Sequence, residues 1–171
     1  MLAQIVKTTF GLVAVIGIAA AASAQDIALP QGAVVLTVTG EIDVANADGT
    51  LIFDRETLAA LGTEEFETTT IWTEGLHRFE GVSLKTLTDL IGAQEGTLLA
   101  TAINDYTVEI PVSDAVADGP IIAFKMDGET MSVRDKGPLW VVYPYDMSAD
   151  YRSEVIYSRS IWQLDRIEVV K

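Results

Sequence analysis

Cysteine is absent from the 171-residue chain, and histidine occurs once, as His77. These two scarcities exclude much chemistry before any motif is read. There is no thiolate nucleophile, no iron–sulfur site and no sulfur ligand for zinc, copper or molybdenum. A Ser–His–Asp triad would have to be built on His77, and multi-histidine metal sites are impossible. Positive charge is also scarce. Eleven Lys and Arg stand against 25 Asp and Glu, a formal net charge of −14. Such a balance repels phosphates, so nucleic acid and anionic membrane are excluded as partners, and the scattered carboxylates read as a solvated surface. Long apolar runs are missing except at the start.

That one run carries an export reading. Lys7 is followed by Phe10-Gly-Leu-Val-Ala-Val-Ile-Gly-Ile-Ala and closes on Ala22-Ser23-Ala24. This is the small-x-small pattern of a cleaved signal peptide, with Gln25 as the new terminus. The run is shorter than the roughly 20 residues of a spanning helix, so no stable membrane insertion is expected after cleavage. Cleavage after Ala24 leaves a periplasmic protein: a flexible lead over 25–32 and a single domain over 33–171, enough for a sizeable core without disulfides.

Along that domain, β-branched and apolar runs predict strands at 33–39, 50–53, 66–73, 98–103, 106–110, 121–125, 131–134, 139–143 and 161–170. Asp54 reads as the N-cap of a short helix carrying Leu58 and Leu61 and stopped by Gly62. Ser83 reads as the cap of an amphipathic helix with Leu84, Leu87, Leu90 and Ile91 on one face, ended by Gly92. Asn104-Asp105 and Asp127-Gly128 are hairpin turns, and residues 74–81 read as an irregular polar-aromatic loop. The fold class is α+β: a mixed or antiparallel, strand-rich architecture with two or three short helices.

Several stretches carry a resemblance. Gly81-Val-Ser-Leu-Lys-Thr-Leu-Thr-Asp-Leu-Ile-Gly92, Asn104-Asp105-Tyr106 with Val108-Glu-Ile-Pro111, and Ile121-Ile-Ala-Phe with Asp127-Gly128 are the first three. Lys136-Gly-Pro-Leu-Trp-Val-Val-Tyr-Pro144 and Trp162-Gln-Leu-Asp-Arg-Ile-Glu-Val169 complete the set. In this order and spacing the chain resembles the oxidoreductase molybdopterin-binding domain, the catalytic domain of sulfite oxidases and their relatives. The resemblance implies that family's fold, and a molybdenum held by a cysteine just before the Gly81 helix. That place is held here by residues 69–73, which contain no sulfur, and Trp140 stands where the family motif has an arginine. The family's enzymes also cross the membrane folded behind a twin-arginine signal, whereas the leader here contains no arginine. The expectation is therefore no cofactor, with molybdopterin possible but disfavoured.

Two segments supply candidate ligand-binding residues. Trp72, His77 and Arg78 lie where the family's active-site loop would be; an aromatic offers area and a cation a charge partner. The bland reading is a surface loop with Trp72 in the core. Residues 143–162 hold four tyrosines, two arginines and a tryptophan. From them Tyr145, Arg152, Tyr157 and Arg159, joined by Arg134 and Lys136, would form a pocket for a small anion, or else pair with surface carboxylates. Two functions stay open. One is a non-catalytic module binding a small anion or a membrane-bound partner protein. The other is an enzyme, either a molybdopterin-dependent oxidoreductase with a non-cysteine metal site or a hydrolase using His77 with Glu74 or Asp146.

Overall fold

The structure is a computed structural model, described here over residues 27–171; the expected signal peptide lies outside the described residues. It is α+β, with ten strands in two five-stranded sheets and three short helices. The first sheet contains β1 (Leu36–Gly40), β2 (Leu51–Phe53), β5 (Thr97–Ala102), β6 (Thr107–Pro111) and β10 (Leu164–Val170). Their order is β2-β1-β10-β5-β6, and β1 runs parallel to β10 while the other pairs are antiparallel, so the sheet is mixed. The second contains β3 (Glu64–Thr69), β4 (Leu76–Ser83), β7 (Ile121–Met126) and β8 (Glu129–Thr130) in that order, with β9 (Trp140–Val142) also paired to β7, all antiparallel.

Helix α1 (Arg55–Ala59) begins as its sequence dictates. The Asp54 carboxylate accepts from the Thr57 amide while the Thr57 hydroxyl faces the Asp54 amide, a closed capping box. The second carboxylate oxygen of Asp54 accepts the amides of Gln31 and Gly32, which moors the lead residues to the helix. Helix α2 (Leu84–Leu90) buries Leu84 and Leu87, with Ile91 following, and Gly92 turns the chain out at φ +73°. Ser83 gives α2 no side-chain cap; it is the buried last residue of β4 instead. No helix among the described residues is long and apolar enough to cross a membrane.

Residues 74–81 differ from the loop reading. The turn ends at Gly75, and Leu76–Ser83 is an eight-residue strand paired to β3 on one side and β7 on the other. Alternation is what decides it: Phe79 and Gly81 face inward while Arg78 faces water. At Gly81 the register shifts, and a Cβ there would sit 2.2 Å from the Ile122 carbonyl oxygen, so only glycine admits so close an approach. Several strands are shorter than their apolar runs suggest. β3 stops at Thr69, and the partner of β7 is Glu129–Thr130 rather than 131–134, where Val133–Asp135 forms a 3-10 turn.

The two sheets are sutured at one place. The segment before β10 runs beside β9: Val141 donates to the Ile161 carbonyl at 2.9 Å, Leu164 to Leu139 at 3.0 Å and Gln163 to Lys136 at 2.9 Å. Trp140 and Trp162 thereby face each other across a single bridge. This suture, the turn after β3 and helix α3 (Glu154–Arg159) surround the site.

Candidate functional site

The turn after β3 is shaped by hydroxyls. Thr70 Oγ1 accepts the amides of Trp72 and Thr73 at 3.1 and 3.0 Å, closing a tight turn that throws the Trp72 indole inward. The strand end beneath it is pinned by Asp146, whose carboxylate accepts the Thr69 amide at 2.6 Å and the Thr69 hydroxyl at 2.9 Å. The Asp146 amide in turn donates to buried Thr68 Oγ1 at 3.1 Å. The Thr69 amide, above all, holds the Asp146 carboxyl below its ordinary range.

Trp72 is the hub of an aromatic cluster. Its ring centroid lies 5.8 Å from Trp140, 6.1 Å from Tyr145, 5.7 Å from Tyr157 and 5.6 Å from Trp162, each edge-on at 66° to 84°. Trp140 and Tyr145 belong to the core side of this cluster. Trp140 is wholly buried, its indole N–H donating to the Ser160 carbonyl at 3.1 Å. The Tyr145 hydroxyl donates to Ser160 Oγ at 2.7 Å, and burial pushes it up to about 12. Beside the cluster opens a cleft of about 250 Å³, lined by Trp72 and Tyr157, by Ser158 of α3, by Ser160–Gln163 at the suture, and by Ala102, Asn104 and Tyr106 of the β5–β6 hairpin. No Asp, Glu, Lys or Arg is among its lining residues.

Of the nine residues singled out in the sequence, Trp72 and Tyr157 line this cleft and Tyr145 packs against both of them. His77 sits on β4 with Nδ1 2.7 Å from the Asp127 carboxylate and Nε2 2.9 Å from the Glu74 carbonyl. Both ring nitrogens are thus engaged by acceptors, and His77 is not among the residues lining the cleft. The bonded imidazole, first, and the Arg78 amide hold the Asp127 carboxyl below its ordinary range. Asp146, the other proposed hydrolytic partner, is engaged with Thr69. Arg78 is exposed, 3.7 Å from Glu65.

The remaining cations do not line the cleft. Arg134 is exposed in the 3-10 turn, and Arg152 is exposed just before α3. Arg159, at the end of α3, binds Asp114 at 2.9 Å, and Asp114 also accepts the buried Tyr143 hydroxyl at 2.8 Å. Burial first, and then the Asp114 carboxylate, pushes Tyr143 far above the ordinary phenol value. Lys136 places its ammonium 5.0 Å from the Trp162 ring centroid and 5.6 Å from that of Trp140. The lining residues that sequence reasoning left out of the site include Trp162, Tyr106, Asn104 and Gln163. Trp162 was visible as part of the aromatic-dense segment; nothing in the sequence brings the Asn104-Asp105-Tyr106 turn to it.

Residues 57–153, more than half of the chain, match the oxidoreductase molybdopterin-binding domain, and the chain belongs to that family. Among solved structures, the sulfane dehydrogenase SoxCD from Paracoccus pantotrophus superposes with a TM-score of 0.57 at 17% identity, over 78% of this chain. The match takes in 37% of the SoxCD chain, and at that identity it speaks to the fold. No curated protein sequence matches the chain.

The family's cofactor asks for a sulfur donor, and the residues present do not fit it. Positions 69–73 offer hydroxyls already engaged in the turn and an indole packed on four other rings. Among the described residues no three His, Asp or Glu side chains are grouped to hold a metal ion. The phosphate of a pterin cofactor would also meet no cation among the residues lining the cleft.

Proposed function

We propose that this chain is an exported, non-catalytic binding module: the molybdopterin-binding scaffold kept, its metal chemistry given up, and a small ligand taken in the aromatic cleft. The observation that carries the reading is Trp72. It stands within the stretch where the resemblance puts the metal-ligating cysteine, and its ring is locked between Trp140, Tyr145, Tyr157 and Trp162. An indole cannot ligate molybdenum, but it offers a rigid apolar wall, which is what a pocket for a small molecule needs. His77 fits the same reading, being engaged by Asp127 and the Glu74 carbonyl and absent from the cleft lining.

The test is the molybdenum and pterin content of protein recovered after export by its own leader, read against protein concentration. Neither is expected above background. Near-stoichiometric molybdenum with pterin, and a redox activity tracking it, would overturn the reading in favour of an oxidoreductase with a non-cysteine metal site.

A further inference from the structure

The chemistry of the cleft walls narrows the ligand. Four of the lining residues are aromatic: Trp72, Tyr106, Tyr157 and Trp162. The Trp162 and Tyr157 rings stand at 74° and 84° to Trp72, each with its centroid under 6 Å away. Both rings therefore meet Trp72 edge-on rather than stacking on it. Each ring face carries the negative lobe of its quadrupole, so a cation in the cleft lying over one of these faces within about 6 Å of its centroid is attracted. Lys136, which is not a lining residue, already uses Trp162 and Trp140 in this way at 5.0 and 5.6 Å.

The polar atoms of the cleft choose among cations. Ser158 Oγ donates to the Val155 carbonyl, Ser160 Oγ to that of Ile156, and Gln163 Nε2 to that of Val133. Asn104 Oδ1 accepts the Tyr106 amide. No lining carboxylate is present to receive the N–H bonds of a primary ammonium or guanidinium. A quaternary ammonium has no N–H to satisfy and presents only methyl groups bearing diffuse charge. Space for about eight waters is enough for such a group and a short substituent. The net charge of −14 would concentrate cations around the protein and oppose anions.

We propose that the cleft is an aromatic cage for a small quaternary ammonium solute. The inference rests on the binding-module reading and specifies its ligand class. The same trimethylammonium group also occurs on lipid headgroups; the free solute is the form argued for, because the cleft is small.

Calorimetric titration of the full exported protein with choline, with its neutral isostere 3,3-dimethylbutan-1-ol and with benzoate tests it. Choline is expected to bind about tenfold tighter than the isostere, the worth of two or three ring faces, and benzoate weakest. Trp162→Leu keeps an apolar wall and is expected to lose one ring's share of that factor, about two- to threefold, for choline alone, with circular dichroism confirming the fold. Lys136→Met, which removes the nearby positive charge, is expected to leave choline binding intact or tighten it. Equal or tighter binding of the isostere or benzoate would overturn the cation inference while leaving a ligand-binding module. Binding to phosphatidylcholine vesicles without free choline would overturn the free-solute form, and no binding of any probe would overturn the inference altogether. Bound molybdenum in the separate metal assay would instead strike the binding-module reading beneath it.

Discussion

Asp146 and Thr69, 77 residues apart in sequence, are joined twice: one carboxylate oxygen takes the Thr69 amide and the other its hydroxyl. The pair fixes where β3 ends and hence where the following turn presents Trp72. Asp146→Ala is expected to cost about 1–2 kcal/mol, since charged hydrogen bonds to backbone are worth more than neutral ones but this pair is solvent-facing. Thr69→Val, which spares the amide bond, is expected to cost less than half as much. Urea denaturation gives both numbers. A near-UV circular dichroism change in Asp146→Ala would report the freed indole, and an unchanged midpoint would show that the pin does not hold the turn.

The two tryptophans at the suture separate stability from binding. Trp140 is fully buried, and its replacement by Ala is expected to cost about 3–5 kcal/mol. Trp162 is 37% exposed, and the same change is expected to cost under about 2 kcal/mol. Comparable losses in thermal or chemical unfolding would mean that the cleft wall is part of the core.

Asp114 bridges a tyrosine and an arginine that are both mostly buried. Asp114→Ala strands the pair and is expected to cost about 2–3 kcal/mol, more than Tyr143→Phe at about 1 kcal/mol. A double-mutant cycle of Asp114→Ala with Arg159→Ala should show a favourable coupling, because the second change removes the charge left unpaired by the first.

Stability should fall at both ends of the pH scale, for opposite reasons. Asp54, Asp127 and Asp146 have carboxyls held below their ordinary range by backbone and side-chain donors. Their contribution is complete above the unfolded value near 4 and is lost as pH falls through the lower folded values. Tyr143 and Tyr145 are raised by burial, so theirs is complete below about 10 and is lost as pH rises toward and beyond about 12. Denaturant midpoints from pH 7 to 2 should decline below about pH 4, with a shallower slope in Asp127→Asn. Absorbance at 295 nm should show two tyrosines ionising only with alkaline unfolding. A flat acid limb or five tyrosines titrating together would contradict this.

Most of the architecture was legible because it is written in local chemistry. Asp54 reads as an N-cap, Leu84, Leu87 and Ile91 recur at helical spacing, and Asn104-Asp105 and Asp127-Gly128 are turn sequences wherever they occur. β4 was harder: Glu74-Gly75 at its start and Gly81 within it read as breakers, and only pairing on both flanks makes the intervening alternation a strand. The site was legible by halves. Trp72 and Tyr157 stood out as aromatics in polar surroundings. Their convergence with Tyr106 and Trp162 depends on the suture between sheets, a long-range event that no window of sequence contains. The cations drew the eye because the protein has few, but Arg78 and Arg159 are paired with carboxylates and none lines the cleft.

The parallel pairing of β1 with β10 sets a timetable for assembly. β10 is the middle strand of its sheet, flanked by β1 and β5, so Thr37 cannot find Arg166 until nearly everything between them has been made. Closing so long a loop has to precede the contacts that reward it, which favours slow, late acquisition of structure. A chain with that timetable emerges from a ribosome without its central ladder and stays open for longer than one whose contacts are local.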